Sequence, residues 1–203
     1  MHCGSGQAAG NAARERWNAK YAGGFGASFA AHPLAVRALG MTLPDGPVAE
    51  LACGVSGSAL LAAEAGRDVI AVDISDIALE VLAGEAQRRG LRNRLMLVQA
   101  DLADWRVRPG CCALVLCTGY WDRNVFAAAA AGVTRGGVVG WEGLTAQARR
   151  RNPRLPAQWC LGEGEPAALL PAGFEVIDQH DMPGGSPPKR MMLARHTGSA
   201  DAP

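Results

Sequence analysis

The sequence runs to 203 residues with a formal net charge of +1 and 49% hydrophobic residues. That length favours one domain with a core large enough to stand without disulfide or metal staples. The balanced charge excludes a global basic field of the kind that attracts nucleic acid or an anionic membrane. No apolar run approaches the ~18 residues of a membrane-spanning helix. Met1 to Gly6 lacks the charged-then-apolar pattern of a secretion signal, so a cytoplasmic protein, monomer or homodimer, is expected. The six cysteines, Cys3, Cys53, Cys111, Cys112, Cys117 and Cys160, form no CxxC pair and have no histidine nearby. They read as small buried hydrophobes rather than metal ligands. Cys111 and Cys112, adjacent on a strand, should point to opposite faces.

Residues 1–10 are rich in Gly, Ala and Ser and read as frayed. A helix follows from Ala12 to Tyr21, with Trp17 and Tyr21 four apart on one face, and Gly23-Gly24 ends it. A second helix is expected over Phe29–Leu39, broken or kinked around Pro33, and then Pro44-Asp45-Gly46 turns the chain. Pro47–Ala52 is a short apolar strand, Gly54–Ser58 a glycine-serine loop, and Ala59–Ala65 a helix capped by Gly66. Asp68–Val72 is a second strand running into Asp73. Ser75 caps a helix through Arg89 that Gly90 closes, and Leu95–Gln99 is a third strand leading to Asp101.

Cys112–Cys117 is a fourth strand, Asp122–Ala131 an alanine-rich helix, and Val138–Trp141 a fifth strand. Residues 143–160, with Arg149, Arg150, Arg151, Pro153 and Pro156, read as an exposed loop. Gly162–Leu170 should be a short helix. Phe174–Ile177 and Met191–Arg195 are strands with no helix between them, which calls for an antiparallel pair. The expected fold is therefore α/β, Rossmann-like and doubly wound. It has a mainly parallel seven-stranded sheet with a C-terminal antiparallel hairpin. Residues 1–43 form a helical lid segment and residues 44–198 the domain proper.

Three acids, Glu50, Asp73 and Asp101, stand at the ends of the first three strands, the edge where open α/β sheets bind ligands. Asp73 follows Gly54 by one βαβ step, where a carboxylate accepts hydrogen bonds from ribose hydroxyls. Asp101 lies where an adenine amino group needs an acceptor. The loop Leu51–Ser58 carries the small residues that let backbone approach a ligand. The bland alternative is that Asp73 and Asp101 merely cap helices.

Glu50-Leu51-Ala52-Cys53-Gly54, Ala71-Val72-Asp73-Ile74-Ser75 and Gln99-Ala100-Asp101-Leu102 resemble the three cofactor motifs of class I S-adenosylmethionine-dependent methyltransferases. More narrowly, the chain is similar to the small bacterial branch of tellurite-resistance and thiopurine-type enzymes. That likeness rests on Gly119-Tyr120-Trp121-Asp122-Arg123, on Asn152-Pro153 through Gly162-Glu163, and on Trp17-Asn18-Ala19-Lys20-Tyr21. The resemblance implies that S-adenosyl-L-methionine is held by Tyr21, Glu50, Ala52, Cys53, Gly54, Asp73, Ile74, Ala100, Asp101, Leu102 and Cys117. It also implies that a small-molecule methyl acceptor meets Tyr120, Trp121 and Arg123, with no metal, nucleic acid or membrane involved. The chain departs from the family at Val55 and Ser56, where proline and glycine are usual, and at Glu50, where Asp is commoner. It also lacks a Pro-Asn-x-Phe entry near His32-Pro33 and a His-Arg pair in the Pro183–Pro188 turn, which argues against tellurite as substrate.

A sulfonium methyl is already activated, so alignment of the nucleophile is the main requirement. A thiolate, selenide or tellurium lone pair needs no strong base, whereas oxygen or nitrogen often does. Of the histidines, only His32 and His180 stand where they could reach a pocket, and each reads more readily as structural or exposed. Arg123 either holds an anionic acceptor by its planar fork or pairs with a carboxylate such as Glu142. Trp121 could wall the cavity, and Trp17 and Tyr21 could cover the cofactor. The competing functions are a non-catalytic S-adenosylmethionine-binding sensor or assembly protein and, on weaker grounds, a nicotinamide oxidoreductase. The oxidoreductase would need a full Gly-x-Gly-x-x-Gly loop, which is not evident.

Overall fold

A computed structural model describes residues 5–25, 28–182, 184 and 186–198, with the side chains of 5–9 left aside. Met1 to Gly4, Pro183 and Gly185 lie outside the described residues, and with them part of the expected frayed start and of the Pro183–Pro188 turn. The N-terminal helix α1 covers Ser5–Ala22. Helix α2, Pro33–Leu39, starts at its proline rather than being kinked by it. Pro33 lacks only an N–H that a first-turn residue leaves unpaired anyway. His32 is the N-cap, its Nδ1 accepting from the Leu34 N–H at 3.2 Å.

The sheet is built from β1 (Val48–Leu51), β2 (Val69–Asp73), β3 (Leu95–Gln99), β4 (Cys112–Thr118), β5 (Val133–Thr145), β6 (Cys160–Leu161), β7 (Phe174–Asp181) and β8 (Lys189–His196). Strand order is β3-β2-β1-β4-β5-β8-β7, with β6 beside β5. The first six strands pair in parallel, and β8 pairs antiparallel with both β5 and β7. The sheet thus has eight strands, not the seven expected, because β6 is a two-residue strand too short to register as a pattern.

Helices α3 (Gly57–Glu64), α4 (Asp76–Arg88) and α5 (Arg123–Ala131) connect the strands. Period-two alternation divides the core between the sheet's faces. Leu60, Leu82, Leu114, Leu116 and Leu193 pack with α2, α3 and α4 on one face. Leu51, Val115, Phe126, Trp141 and Met192 pack with α5 on the other.

Three expectations need correction. Residues 143–160 are not a loop: β5 continues to Thr145, α6 follows at Ala146–Arg151, and β6 closes the segment. Partners on both edges set the length of β5, since it pairs with β4 as far as Glu142, then with β6, and with β8 along most of that stretch. In place of a helix over Gly162–Leu170 there is one 3-10 turn at Ala167–Leu169. The Cys111 and Cys112 sulfurs do not diverge but lie 3.5 Å apart. Cys111 precedes β4, so strand alternation does not govern it.

Candidate active site

The strand order reverses between β1 and β4, and the loops leaving β1, β2, β3 and β4 open onto that switch point, where open α/β sheets bind ligands. After β1 the backbone bends sharply: Ala52 has φ 49° and Gly54 φ 56°. Left-handed backbone at a residue with a Cβ is strained and marks functional loops. At Gly54 the positive φ favours glycine, and an added Cβ would press on the Tyr21 hydroxyl and force that ring to move.

Asp73 ties the first two loops together. Its Oδ2 accepts from the Gly54 N–H at 2.7 Å and its Oδ1 from the Ser75 N–H at 2.8 Å. Burial pushes its pKa up, while the backbone donors pull the other way. Each oxygen keeps a further lone pair for a ligand hydroxyl. Ser75 caps α4 through the Ala78 N–H and donates its hydroxyl to Asn18 of α1.

Glu50 is 3% exposed, and its Oε2 accepts from the Ser56 hydroxyl at 2.6 Å. Burial, only partly offset by Ser56 and by His32, raises its pKa to about 7. Among the described residues Glu50 has no ion-pair partner, and a buried carboxylate in that state is stabilised in its charged form by a cationic group brought beside it. Ser56 also accepts from the Ala59 N–H at 3.0 Å, so it is the N-cap of α3. The residue that departs from the resembling family is thus a cap and a partner for Glu50. A serine three residues ahead of a helical run was the available signal.

Asp101 follows β3, accepts from the Ala103 N–H at 2.8 Å and lies beneath α1. A Cβ on Gly10 would stand 2.9 Å from its Oδ2. Leu102 and Cys117 are buried, and Ile74 and Ala100 are half-buried beside the loops. Burial drives the thiols of Cys53 and Cys117 well above their ordinary range, which keeps them in the protonated form. Tyr120 is pushed to about 12 by burial and then by nearby Asp122. Tyr21 is raised by burial and then by Asp73, beside which it sits.

Helix α1 lies across this edge. Arg14 and Asn18 reach Asp76 at 2.9 and 2.8 Å, and Trp17 stacks on Tyr21 with ring centroids 5.8 Å apart. The remaining predicted residues fall differently. Trp121 is 4% exposed and packs against Phe126 and Trp141 in the core instead of walling a cavity. Arg123 grips Glu165, not Glu142, through Nε at 2.6 Å and Nη2 at 3.2 Å. Glu142 is held by His32 at 3.0 Å and Lys189 at 2.5 Å. Burial raises that carboxyl, but the two donors outweigh burial and hold it below its ordinary value. His180 lies on β7 beside Asp178, away from the switch point. Glu142 and Glu165 were not foreseen as site-shaping residues, since their partners are remote in sequence.

Residues 48–137 match the family described as "Methyltransferase domain". The sheet order and loop geometry are those of the Rossmann-like fold seen in methyltransferase structures that the chain resembles. Among solved structures, TehB from Haemophilus influenzae is 16% identical, covering 81% of this chain and 62% of its own, with a TM-score of 0.67. Geranyl diphosphate C-methyltransferase from Streptomyces coelicolor A3(2), solved with S-adenosyl-L-homocysteine, is 14% identical over 80% of this chain and 75% of its own (TM-score 0.61). The [4+2]-cyclase SpnF is 14% identical over 81% and 80% (TM-score 0.64). No curated protein sequence matches the chain significantly.

Proposed function

We propose that the chain moves a methyl group from S-adenosylmethionine to a small-molecule acceptor whose nucleophile is soft or anionic. Because a cyclase shares the fold, the fold by itself does not assign the chemistry. Support comes from the family match and from one constellation: Glu50, the strained Ala52–Gly54 loop and Asp73, converging at the strand-order reversal.

Bound S-adenosylmethionine supplies a methyl group already activated on a sulfonium. Glu50 fits its ammonium, the Gly54 loop its amino-acid end, Asp73 its ribose, and Asp101 with Leu102 its adenine. Tyr21 and Trp17 cover it from α1 and exclude water. The choice of acceptor follows from the state of His32. His32 accepts a backbone N–H on Nδ1, which places its proton on Nε2, directed at Glu142. Both nitrogens are therefore engaged, and the crevice offers alignment in place of deprotonation, which suits a thiol, selenium or tellurium nucleophile.

The test is titration calorimetry with S-adenosyl-L-homocysteine beside a thermal melt. Affinity in the micromolar range, about −8 kcal/mol, and a raised Tm are expected. No heat and an unmoved Tm at millimolar ligand would refute the cofactor reading. Single-turnover transfer to a panel of thiols, selenite and tellurite then separates an enzyme from a silent binder.

A further inference from the structure

A cavity of about 470 Å³ opens beside α6. Its walls leave the carboxyl edge of the sheet: Arg123 begins α5 after β4, Arg149 and Arg150 lie on α6 after β5, and Gly162 follows β6. It therefore shares an edge with the cofactor loops but lies beyond β4, on the side where β5 and β6 end. Three of the nine lining residues are arginines, and none is a carboxylate. Pro153, Ala157, Cys160 and Leu161 give the cavity apolar lining as well.

The arginines differ in what they have to offer. Arg123 is spent on Glu165, whose Oε2 also accepts from the Gly162 N–H at 2.7 Å. That pair braces the wall. Arg149 uses Nε on the Leu155 carbonyl at 3.2 Å, and both Arg149 and Arg150 are exposed. Two such arginines lining one cavity with apolar residues match a molecule with an oxyanion at one end and a hydrocarbon body at the other. Pockets for small organic ligands run to ~300–1,000 Å³, whereas one water takes about 30 Å³. A bare oxyanion would rattle in this space; an organic anion would fill it.

We infer that the cavity between α6 and β6 binds the oxyanion end of an organic acceptor through Arg149 and Arg150, with its body on Pro153, Ala157 and Leu161. This deepens the methyltransferase reading by naming an acceptor class, an organic phosphate monoester or carboxylate, over selenite or tellurite. The binding itself does not depend on methyl transfer.

The test is titration calorimetry with phenyl phosphate, phenylacetate and inorganic phosphate on the wild-type protein and on Arg150→Gln and Arg149→Gln. Among the described residues Arg150 holds no backbone carbonyl, so its variant is the one whose fold is least at risk, and a thermal melt checks both. At least one phenyl compound should bind more tightly than inorganic phosphate, and each substitution should weaken it about tenfold. The stronger phenyl compound tells phosphate from carboxylate. No binding of either, equal binding of inorganic phosphate, or unchanged affinity in both variants would overturn the inference. S-adenosyl-L-homocysteine is titrated in parallel, and its failure to bind would count against the cofactor reading alone.

Discussion

Asp73 and Glu50 are both buried acids at strand ends, yet their surroundings give them different tasks. Asp73 has two backbone donors, each such bond to a charged group being worth about 1.5–3 kcal/mol. On sequence alone Asp73→Ala should spare the fold, because the apolar strand is untouched. The structure changes that expectation: the substitution frees two amides and loosens the Gly54 loop. Asp73→Ala should therefore lower stability by about 2 kcal/mol and weaken S-adenosyl-L-homocysteine roughly tenfold or more, and Asp73→Asn should cost less of both. Melts and calorimetry read these separately; a folded Asp73→Ala with full affinity would mean the ribose is held elsewhere.

Glu50 works in the opposite sense. Its pKa rises from 4.5 to about 7 in the folded protein. Its contribution to stability is thus fully present below about pH 4.5 and is lost as pH climbs through about 7. Glu50→Gln should gain on the wild type across that window, by on the order of 3 kcal/mol once the carboxylate is fully ionised. Affinity of the wild type for the cofactor's ammonium should rise with pH over the same range. Denaturant titrations and calorimetry at several pH values check both trends, and a pH-independent difference between the two proteins would remove Glu50 as the titrating group.

At the scale of elements, α1 is attached to the sheet edge by few and mostly polar contacts. Asn18 accepts from Ser75 at 2.6 Å and donates to Asp76 at 2.8 Å, while Arg14 and Asp76 form a partly exposed ion pair of small value. Such a helix opens locally at low cost. Asn18→Ala should leave the global Tm nearly unchanged, speed hydrogen exchange in α1, and weaken S-adenosyl-L-homocysteine several-fold. A change in Tm with no change in α1 exchange would show α1 to be an ordinary part of the core. Helix α6 and strand β6 make the contrasting case, since neither has a hydrophobic pattern of its own. They exist because β5 runs on past the end of β4 and leaves an edge for Cys160 and Leu161 to pair with.

For the molecule as a whole, one reversal of strand order gathers the chemistry. The chain leaves β3, crosses to β4 on the far side of β1, and so brings the loops after β1 and β4 to face each other. The loops that carry Gly54 and Asp73 lie on one side of that line and the arginine-lined cavity on the other. The antiparallel β8 covers β5, and Trp141, fully buried, closes the core beneath with Phe126 and Trp121. Among the described residues no helix is long and apolar enough to cross a membrane.

The sequence by itself determined the parallel α/β class, the first four strands, the helices between them and the acids at the strand ends. These are local signals: apolar runs of four to seven residues, a serine cap before a helix, a glycine after it. Tertiary structure alone decided the partners. It paired Arg123 with Glu165, 42 residues away, and placed Glu142 between His32 and Lys189, which engages the His32 ring. It also set the lengths of β5, β7 and β8, whose ends carry polar residues held in the sheet by cross-strand hydrogen bonds rather than by burial. Periodicity records which face of an element meets the core. Which remote side chain completes a charge, and where a strand stops, depend on neighbours that are brought near only by folding.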